Sequence, residues 1–397
     1  MLKHNRIAVL CQYPFPEGMA ATIRILTYCK GLQANGVDTE VFSFRWLADN
    51  DPAPSCGEVM GVKYKTSHRW DTGKGRIHKI LIDRTLIYFK AVKDIVRSHR
   101  EKPFDYVILS FDSIANLAFF VPALRLCGIK LVFICDEFPQ AIRNLKHDIP
   151  FFHKFAYRIL SLGIEKRIAM TGELERFYNQ FGVRPTHQMC SVLDTDRFDG
   201  VRRQAVEKPY LCYMGNMQLA KDNVDNIIEA FALLTDRYPE LELHLYGTPG
   251  ASDKALLQSV IDRHGLEARV LLKGRAGYDS VPQILANATL LVTSQPDTRR
   301  AEGGFPTKMA EYMMSHTPML VTDVGEICRY VKDGETAFVV APADPVAYSE
   351  KVADILDDPE SAKCVAENAY EYASANFGAV SVTSALVSFL DDDSENR

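Results

Sequence analysis

The feature that most limits the fold is an alternation of short apolar runs of strand length with longer stretches of helical spacing. In the first half the runs are RIAVLCQ, VDTEVFSF, DYVILSF, IKLVFIC and THQMCSVL. In the second they are YLCYMG, LELHLYG, RVLLKG, ATLLVTS, PMLVTD and TAFVVA. Between two of them, DNVDNIIEAFALLTDRY sets Val224, Ile227, Ile228, Phe231 and Leu234 at helical spacing. Strands that alternate with helices pair in parallel under helical cover, so an α/β architecture is expected. The pattern restarts near residue 208, after the polar, aperiodic DTDRFDGVRRQAVEKP, which reads as a linker. A chain of 397 residues is long for one core and suits two. The expected division is a Rossmann-like domain over 1–203, a second over 204–377, and a C-terminal helix with an acidic tail over 378–397 that returns to the first domain. Two such doubly wound domains would face each other across a cleft at the carboxyl ends of both sheets, the edge where open α/β sheets bind ligands.

Composition narrows the class. No uninterrupted apolar run reaches the roughly 18 residues that a membrane span needs. The opening MLKHNRIAVL is too short and polar ahead of its first strand for a signal peptide, so a cytoplasmic chain is expected. Nine cysteines lack any CxxC pair, and Cys11, Cys127, Cys135 and Cys212 lie in apolar runs. They read as reduced core thiols rather than disulfides or metal ligands. The net charge of -5 conceals an asymmetry: residues 1–200 hold 28 Lys and Arg against 21 Asp and Glu, and the remainder hold 18 against 30. Opposite signs in the two halves suggest different partners, with nucleic acid not among them.

Three strand–turn–helix units carry candidate chemistry. In IAVLCQYPFPEGMAATIRILTYCKGL, Gly18 stands just before a helix, where backbone amides and about half a positive charge can meet an anion; it equally suits a plain turn. In YLCYMGNMQLAKDNVDNIIEAF, the strand ends at Gly215 and Lys221 precedes a helix starting near Asn223. That lysine reads as a phosphate-facing cation or, equally well, as a solvated one. The third unit, AEGGFPTKMAEYMMSHTPMLVTDVG, offers Gly303 and Gly304 as exposed amides, Pro306 in a first helical turn, and Lys308 with Glu311 as i,i+3 neighbours. Such a pair is either an exposed ion pair worth little or part of a site. Amides and a lysine can hold a diphosphate, and a carboxylate can accept from sugar hydroxyls; those are the two chemistries of a sugar nucleotide.

On these segments, with LELHLYG, VLLKG and VKDGETAFVVAPAD, the chain resembles the family 4 retaining glycosyltransferases of the GT-B fold, in a PTK…EY variant of their signature motif. The resemblance is strong from about residue 208 to 345 and looser before. It implies that Glu311 contacts the ribose hydroxyls, that Lys221 binds the diphosphate, and that Arg275 meets the base. It further implies that the backbone of Gly304, Phe305, Pro306 and Thr307 touches the donor sugar and phosphates. Where the family usually has an arginine, the sequence has Asn216, and Lys308 is the expected replacement cation. The family's two signature glutamates have seven residues between them; Glu302 and Glu311 have eight, which puts Gly303 in the usual place.

The resemblance implies transfer of a sugar from a UDP- or GDP-linked donor to a hydroxyl, with retention, in cell-surface polysaccharide or glycolipid synthesis. No cofactor and no metal are expected, since no Asp-x-Asp stands at a strand end; DTDRF at 194–198 reads as structural. Acceptor-side groups should follow first-domain strands: Asp112 after YVILSF, and Asp136 with Glu137 after IKLVFIC. Asp136, Glu137, Lys221 and Glu311 are the candidate catalytic residues. Asp112 and Asp136 serve equally as loop or capping carboxylates. Two basic amphipathic segments, GRIHKILIDRTLIYFKAVKDIVRSHREK and KHDIPFFHKFAYRILSLGIEKR, suit either ordinary packing or an anionic membrane surface on the inner face, with a saccharide or lipid-linked acceptor. Two other readings stay open: a non-catalytic sugar-nucleotide-binding subunit, and a sugar-nucleotide 2-epimerase of the same architecture.

Overall fold

The computed structural model describes residues 6–18, 20–44, 54–67, 84–111, 113–139 and 149–392. The chain forms two compact units: one runs to Val192 and takes back the chain from Ala379, and the other is Leu193–Gly378. The boundary falls ahead of DTDRFDGVRRQAVEKP, so that polar stretch belongs to the second unit. Within that unit, the Leu193 amide donates to the Phe377 carbonyl at 2.8 Å, so the entering and leaving chains run side by side.

The first unit holds eight strands: β1 (Arg6–Cys11), β2 (Asp38–Ser43), β3 (Cys56–Val59), β4 (Val62–Thr66), β5 (Tyr106–Ser110), β6 (Leu131–Cys135), β7 (Lys166–Ala169) and β8 (Thr186–Gln188). Their order is β3-β4-β2-β1-β5-β6-β7-β8, with every pairing parallel except β3 with β4. Residues of β5 and β6 are buried throughout, which is why these strands are unbroken apolar runs. Three strands carry no such signal. The edge hairpin β3–β4 turns on Met60 and Gly61, with φ of 49° and 77°, the two positive φ angles of a two-residue turn without its usual Asn-Gly. Strand β7 begins with two charged residues that are nevertheless buried. Lys166 Nζ donates to the carbonyls of Phe389 and Asp392, both at 2.7 Å, and Arg167 donates to Ser161 and Asn179 at 2.7 and 2.9 Å.

Those carbonyls end the helix Ala379–Asp391, which packs on the helix Ala20–Ala34 and completes the first core with Leu386, Val387 and Leu390. The crossing is close enough that a Cβ on Gly31 would stand 2.4 Å from the Ala379 carbonyl oxygen. Of the two basic amphipathic segments, residues 75–83 and 146–148 lie outside the described residues, and the remainder contributes the helices Arg84–Glu101 and Phe151–Ser161.

The second unit is a six-stranded parallel sheet: β9 (Tyr210–Met214), β10 (Glu242–Tyr246), β11 (Val270–Gly274), β12 (Leu290–Val292), β13 (Met319–Thr322) and β14 (Phe338–Val340), ordered β11-β10-β9-β12-β13-β14. All six coincide with the apolar runs of the second half. Their core gathers Leu211, Leu243, Leu290 and Leu320 against Ile227, Phe231 and Val352 from covering helices. All nine cysteines are free thiols; Cys11, Cys135 and Cys212 are buried, but Cys127 closes a helix and is exposed. Among the described residues no helix is long and apolar enough to cross a membrane.

Candidate active site

In the second sheet β9 and β12 are neighbours, yet the chain moves from β9 toward β10 and from β12 toward β13. At such a reversal a crevice opens outside the carboxyl ends of the strands. Gly215 turns the chain there. A Cβ on Gly247, whose φ is +140°, would stand 1.7 Å from the Gly215 carbonyl oxygen. A Cβ on Gly215 itself would come within 2.7 Å of Lys308 Nζ. Gly247 therefore demands glycine, whereas a Cβ at Gly215 would push aside the Tyr213 hydroxyl and the Lys308 ammonium.

Lys308 and Glu311 belong to the short helix Thr307–Met313. Its Met309, Ala310, Tyr312 and Met313 face the core, and the Met214 amide donates to the Tyr312 hydroxyl at 2.8 Å. That docking turns Lys308 and Glu311 away from the core, but not toward each other. Lys308 Nζ donates to Asp222 Oδ1 at 2.8 Å and to the Tyr213 hydroxyl at 3.1 Å, and lies 4.3 Å from the Tyr213 ring centroid. Glu311 Oε1 accepts from Arg197 at 2.6 Å, while Arg197 also donates to the Tyr278 carbonyl and stacks on that ring at 3.6 Å. The i,i+3 pair suggested by spacing is thus replaced by two tertiary pairs.

Asp222 is almost fully buried. Burial pushes its carboxyl up, but Lys308 and then Lys221 pull it down further, and it ends below its ordinary 3.8. It is therefore a carboxylate held in its charged form by two lysines, with Lys308 in direct contact. Burial, with Asp222 beside it, lifts the Tyr213 hydroxyl well above its usual range, so it remains protonated and able to donate.

Several expected details need correction. Gly303 and Gly304 do not present a pair of exposed amides: Gly303 is the buried last residue of the helix Arg299–Gly303, and the Gly304 amide already donates to Ala301 at 3.3 Å. Pro306 caps the next helix rather than entering its first turn, and Phe305 is buried against Tyr330 at 5.0 Å. Lys221 lies in its own short helix, Leu219–Asp222, separated from Val224–Ala232 by Asn223 at φ 46°. Asn216, Arg275 and Glu302 are exposed. The structure brings Gly215 and Lys308 together and adds Asp222, Tyr213 and Arg197, none of which was singled out from sequence. Arg197 lies inside DTDRF, in the 3-10 turn Thr195–Phe198. No sequence signal marked it, because its partner is 114 residues away.

In the first unit the equivalent reversal lies between β1 and β5. Gly18 ends the loop after β1, where Thr22 donates to the Pro14 carbonyl at 2.6 Å. Across the reversal, Asn116 Nδ2 donates to Gln12 at 2.9 Å, and Tyr88 donates to Asn116. Asp136, just past β6, is ion-paired with Arg24 of the helix Ala20–Ala34. Burial disfavours the charge on Arg24, but Asp136, with Tyr28, Tyr13 and Glu137, more than offsets it and raises its pKa. Glu137 is partly buried beside it, and Asp112 lies outside the described residues.

Residues 194–372 match the family model described as glycosyl transferases group 1. Over 172 residues the chain is 29% identical to alpha-D-kanosaminyltransferase of Streptomyces kanamyceticus, covering 43% of this chain and 42% of that one. It is 31% identical over 142 residues to D-inositol 3-phosphate glycosyltransferase of Streptomyces avermitilis, covering 34% and 30%. The matches thus span less than half the length of these curated relatives. In fold, sucrose-phosphate synthase of Thermosynechococcus elongatus superposes with a TM-score of 0.76 at 14% identity over 96% of this chain and 97% of that one. HepE of Anabaena, in complex with UDP and glucose, gives 0.70 at 17% identity over 98% and 99%. The chain therefore has the two-unit α/β architecture of the GT-B glycosyltransferases, and its second unit carries the match to glycosyl transferases group 1.

Proposed function

We propose that this chain is a glycosyltransferase that moves a sugar from a nucleoside diphosphate sugar to a hydroxyl, with retention at the anomeric carbon. The observation that carries this reading is the placement of Lys308 against Gly215, at the reversal of the second sheet, with Asp222 and Tyr213 holding its ammonium. The glycosyl transferases group 1 match over the same unit supports it, as does the UDP held by the HepE structure of like fold.

In the proposed reaction the bond from the anomeric carbon to the diphosphate oxygen breaks, and the diphosphate leaves with the electron pair. The acceptor oxygen bonds to the same face of that carbon, and its proton passes to a leaving phosphate oxygen. Negative charge grows on the diphosphate, so catalysis needs cations fixed before the reaction begins. Lys308 is so fixed, and Lys221 adds a second cation. Glu311, steadied by Arg197, would accept from the ribose hydroxyls; its bond to Arg197 takes Oε1, and 26% of its side chain stays open to solvent. Asp136 and Glu137 are the proposed acceptor-side carboxylates.

Lys308 is held in place before any ligand arrives, which gives the leaving diphosphate a fixed donor, so we propose a metal-independent reaction. Transfer that persists in EDTA is expected; loss restored by magnesium or manganese would overturn this part. The whole reading is tested by thermal shift with UDP, GDP and their sugars, followed by donor turnover. A ligand at a hundred times its Kd should stabilise the native state by about 2.7 kcal/mol. Binding of none of them sinks the proposal. Binding without transfer or donor hydrolysis favours a non-catalytic subunit, and a new sugar nucleotide without transfer favours an epimerase. A role in cell-surface polysaccharide or glycolipid synthesis, at the inner face of the membrane, is the setting we propose.

A further inference from the structure

The helix Phe151–Ser161 in the first unit, FFHKFAYRILS, is anchored on one side only. Tyr157 points inward and packs its ring on Phe181 at 5.2 Å, with Phe177 and Tyr178 around it, and Ser161 is buried beside it. The opposite side is apolar and open to solvent. Phe151 is 75% exposed, Phe152 81%, Phe155 57%, Ile159 52% and, one residue past the helix, Leu162 75%. Residues 151, 155, 159 and 162 recur at helical spacing, so they form one stripe rather than scattered contacts. Large apolar side chains left exposed in a row, rather than singly, point to an interaction surface.

Charge selects the partner. The helix contains no Asp or Glu, and it carries His153, Lys154 and Arg158, with Arg158 exposed along the stripe. Glu165, a few residues further on, is already paired with Arg125 at 2.6 Å. A helix with phenylalanine and leucine on its outer face, cations along it and no carboxylate meets the requirements for lying in the headgroup region of an anionic bilayer. A face built for another protein would not need to exclude carboxylates. The neighbouring helix Ile114–Leu126 packs against it and ends on Leu126, 89% exposed.

We infer that the outer face of Phe151–Ser161 docks the protein on an anionic lipid surface, with Phe151, Phe155 and Ile159 entering the acyl boundary and Arg158 meeting headgroup phosphates. This extends the proposed function by naming the surface on which a lipid-linked acceptor would be met, and it does not depend on sugar transfer.

The test is sedimentation of the full chain with phosphatidylglycerol-rich vesicles and with pure phosphatidylcholine vesicles. Binding to the first and little to the second is expected, weakened but not abolished by salt. The double variant Phe151→Ser/Phe155→Ser should lower partitioning by more than about tenfold, since the buried apolar area supplies most of the affinity. Arg158→Glu should lower it several-fold on anionic vesicles alone. Both variants should keep the wild-type unfolding temperature and UDP or GDP binding, which separates failure of the docking face from failure of the donor site. Absence of vesicle binding by the wild type would overturn the inference, as would equal binding by the double variant. So would light scattering that shows a wild-type dimer, lost in the double variant, without any vesicle binding.

Discussion

The two sheets reverse direction in the same way but equip the reversal differently. Between β9 and β12 the groups are charged: Lys308 with Asp222, and Arg197 with Glu311. Between β1 and β5 they are neutral, Gln12 with Asn116 and Tyr88, and the nearest ion pair described, Arg24 with Asp136, sits one strand along at β6. One fold principle thus yields a reversal lined by ion pairs and a reversal lined by neutral amides and a hydroxyl. The charge asymmetry of the halves runs the other way, the second being acidic overall. The cations at this reversal are therefore locally placed and owe nothing to the net charge of their unit.

The sharpest way to break this comparison is Lys308→Met. Loss of a fixed donor to developing charge should reduce transfer about 10²–10³-fold. Leaving Asp222 buried without its partner should cost about 3–5 kcal/mol in denaturant unfolding. The double variant Lys308→Met/Asp222→Asn should recover most of that stability and none of the transfer. Recovery of both would show that the ammonium is structural. Next in size is Glu311→Ala, which removes hydrogen bonds to a charged group and should lower kcat/KM about 10–100-fold, with the loss visible as weaker nucleotide binding by calorimetry. Full transfer by this variant would remove Glu311 from the site. Asp136→Asn should act on the other side of the comparison, lowering transfer about tenfold, the size of one lost hydrogen bond to the acceptor, while donor affinity stays unchanged. A fall in donor affinity instead would erase the division of labour between the units.

The smallest effect separates the units by pH. His187 in β8 and His244 in β10 both have pKa values below 6.5 because burial disfavours the imidazolium; for His244 the Glu242 carboxylate pulls back upward. A lowered native pKa means that the unfolded chain binds the proton more readily. The stability gained is complete above pH 6.5 and drains away as pH falls toward the native values. His187→Gln and His244→Gln should each flatten the fall in stability as pH drops below about 6.5. A pH dependence left unchanged by either substitution would remove that histidine from the acid response.

Legibility from sequence followed the same divide. All six strands of the second unit are apolar runs with clear ends, even the half-buried edge strands β11 and β14. The first unit hid β7, because Lys166 and Arg167 look solvated until the carbonyls of Phe389 and Asp392, more than two hundred residues later, are seen to receive the lysine. It hid the β3–β4 hairpin because Met60 adopts a backbone that glycine or asparagine usually signals. Within the site, Lys308 and Glu311 could be picked out as residue types at a turn. Their partners could not: Asp222 sits next to Lys221, yet only the left-handed turn at Asn223 decides which of the two is buried. Arg197 lay in a stretch read as linker.

The return of Ala379–Asp391 to the first unit sets an order of assembly. Everything the second unit needs is made before residue 379, while the first unit lacks Leu386, Val387, Leu390 and the carbonyls that receive Lys166 until that later segment follows. The usual sequence, in which the leading domain of a nascent chain matures first, is thereby inverted. Polypeptides cut short before Ala379 would carry a finished second unit and an open first core, a state that quality-control proteases can distinguish from the mature protein.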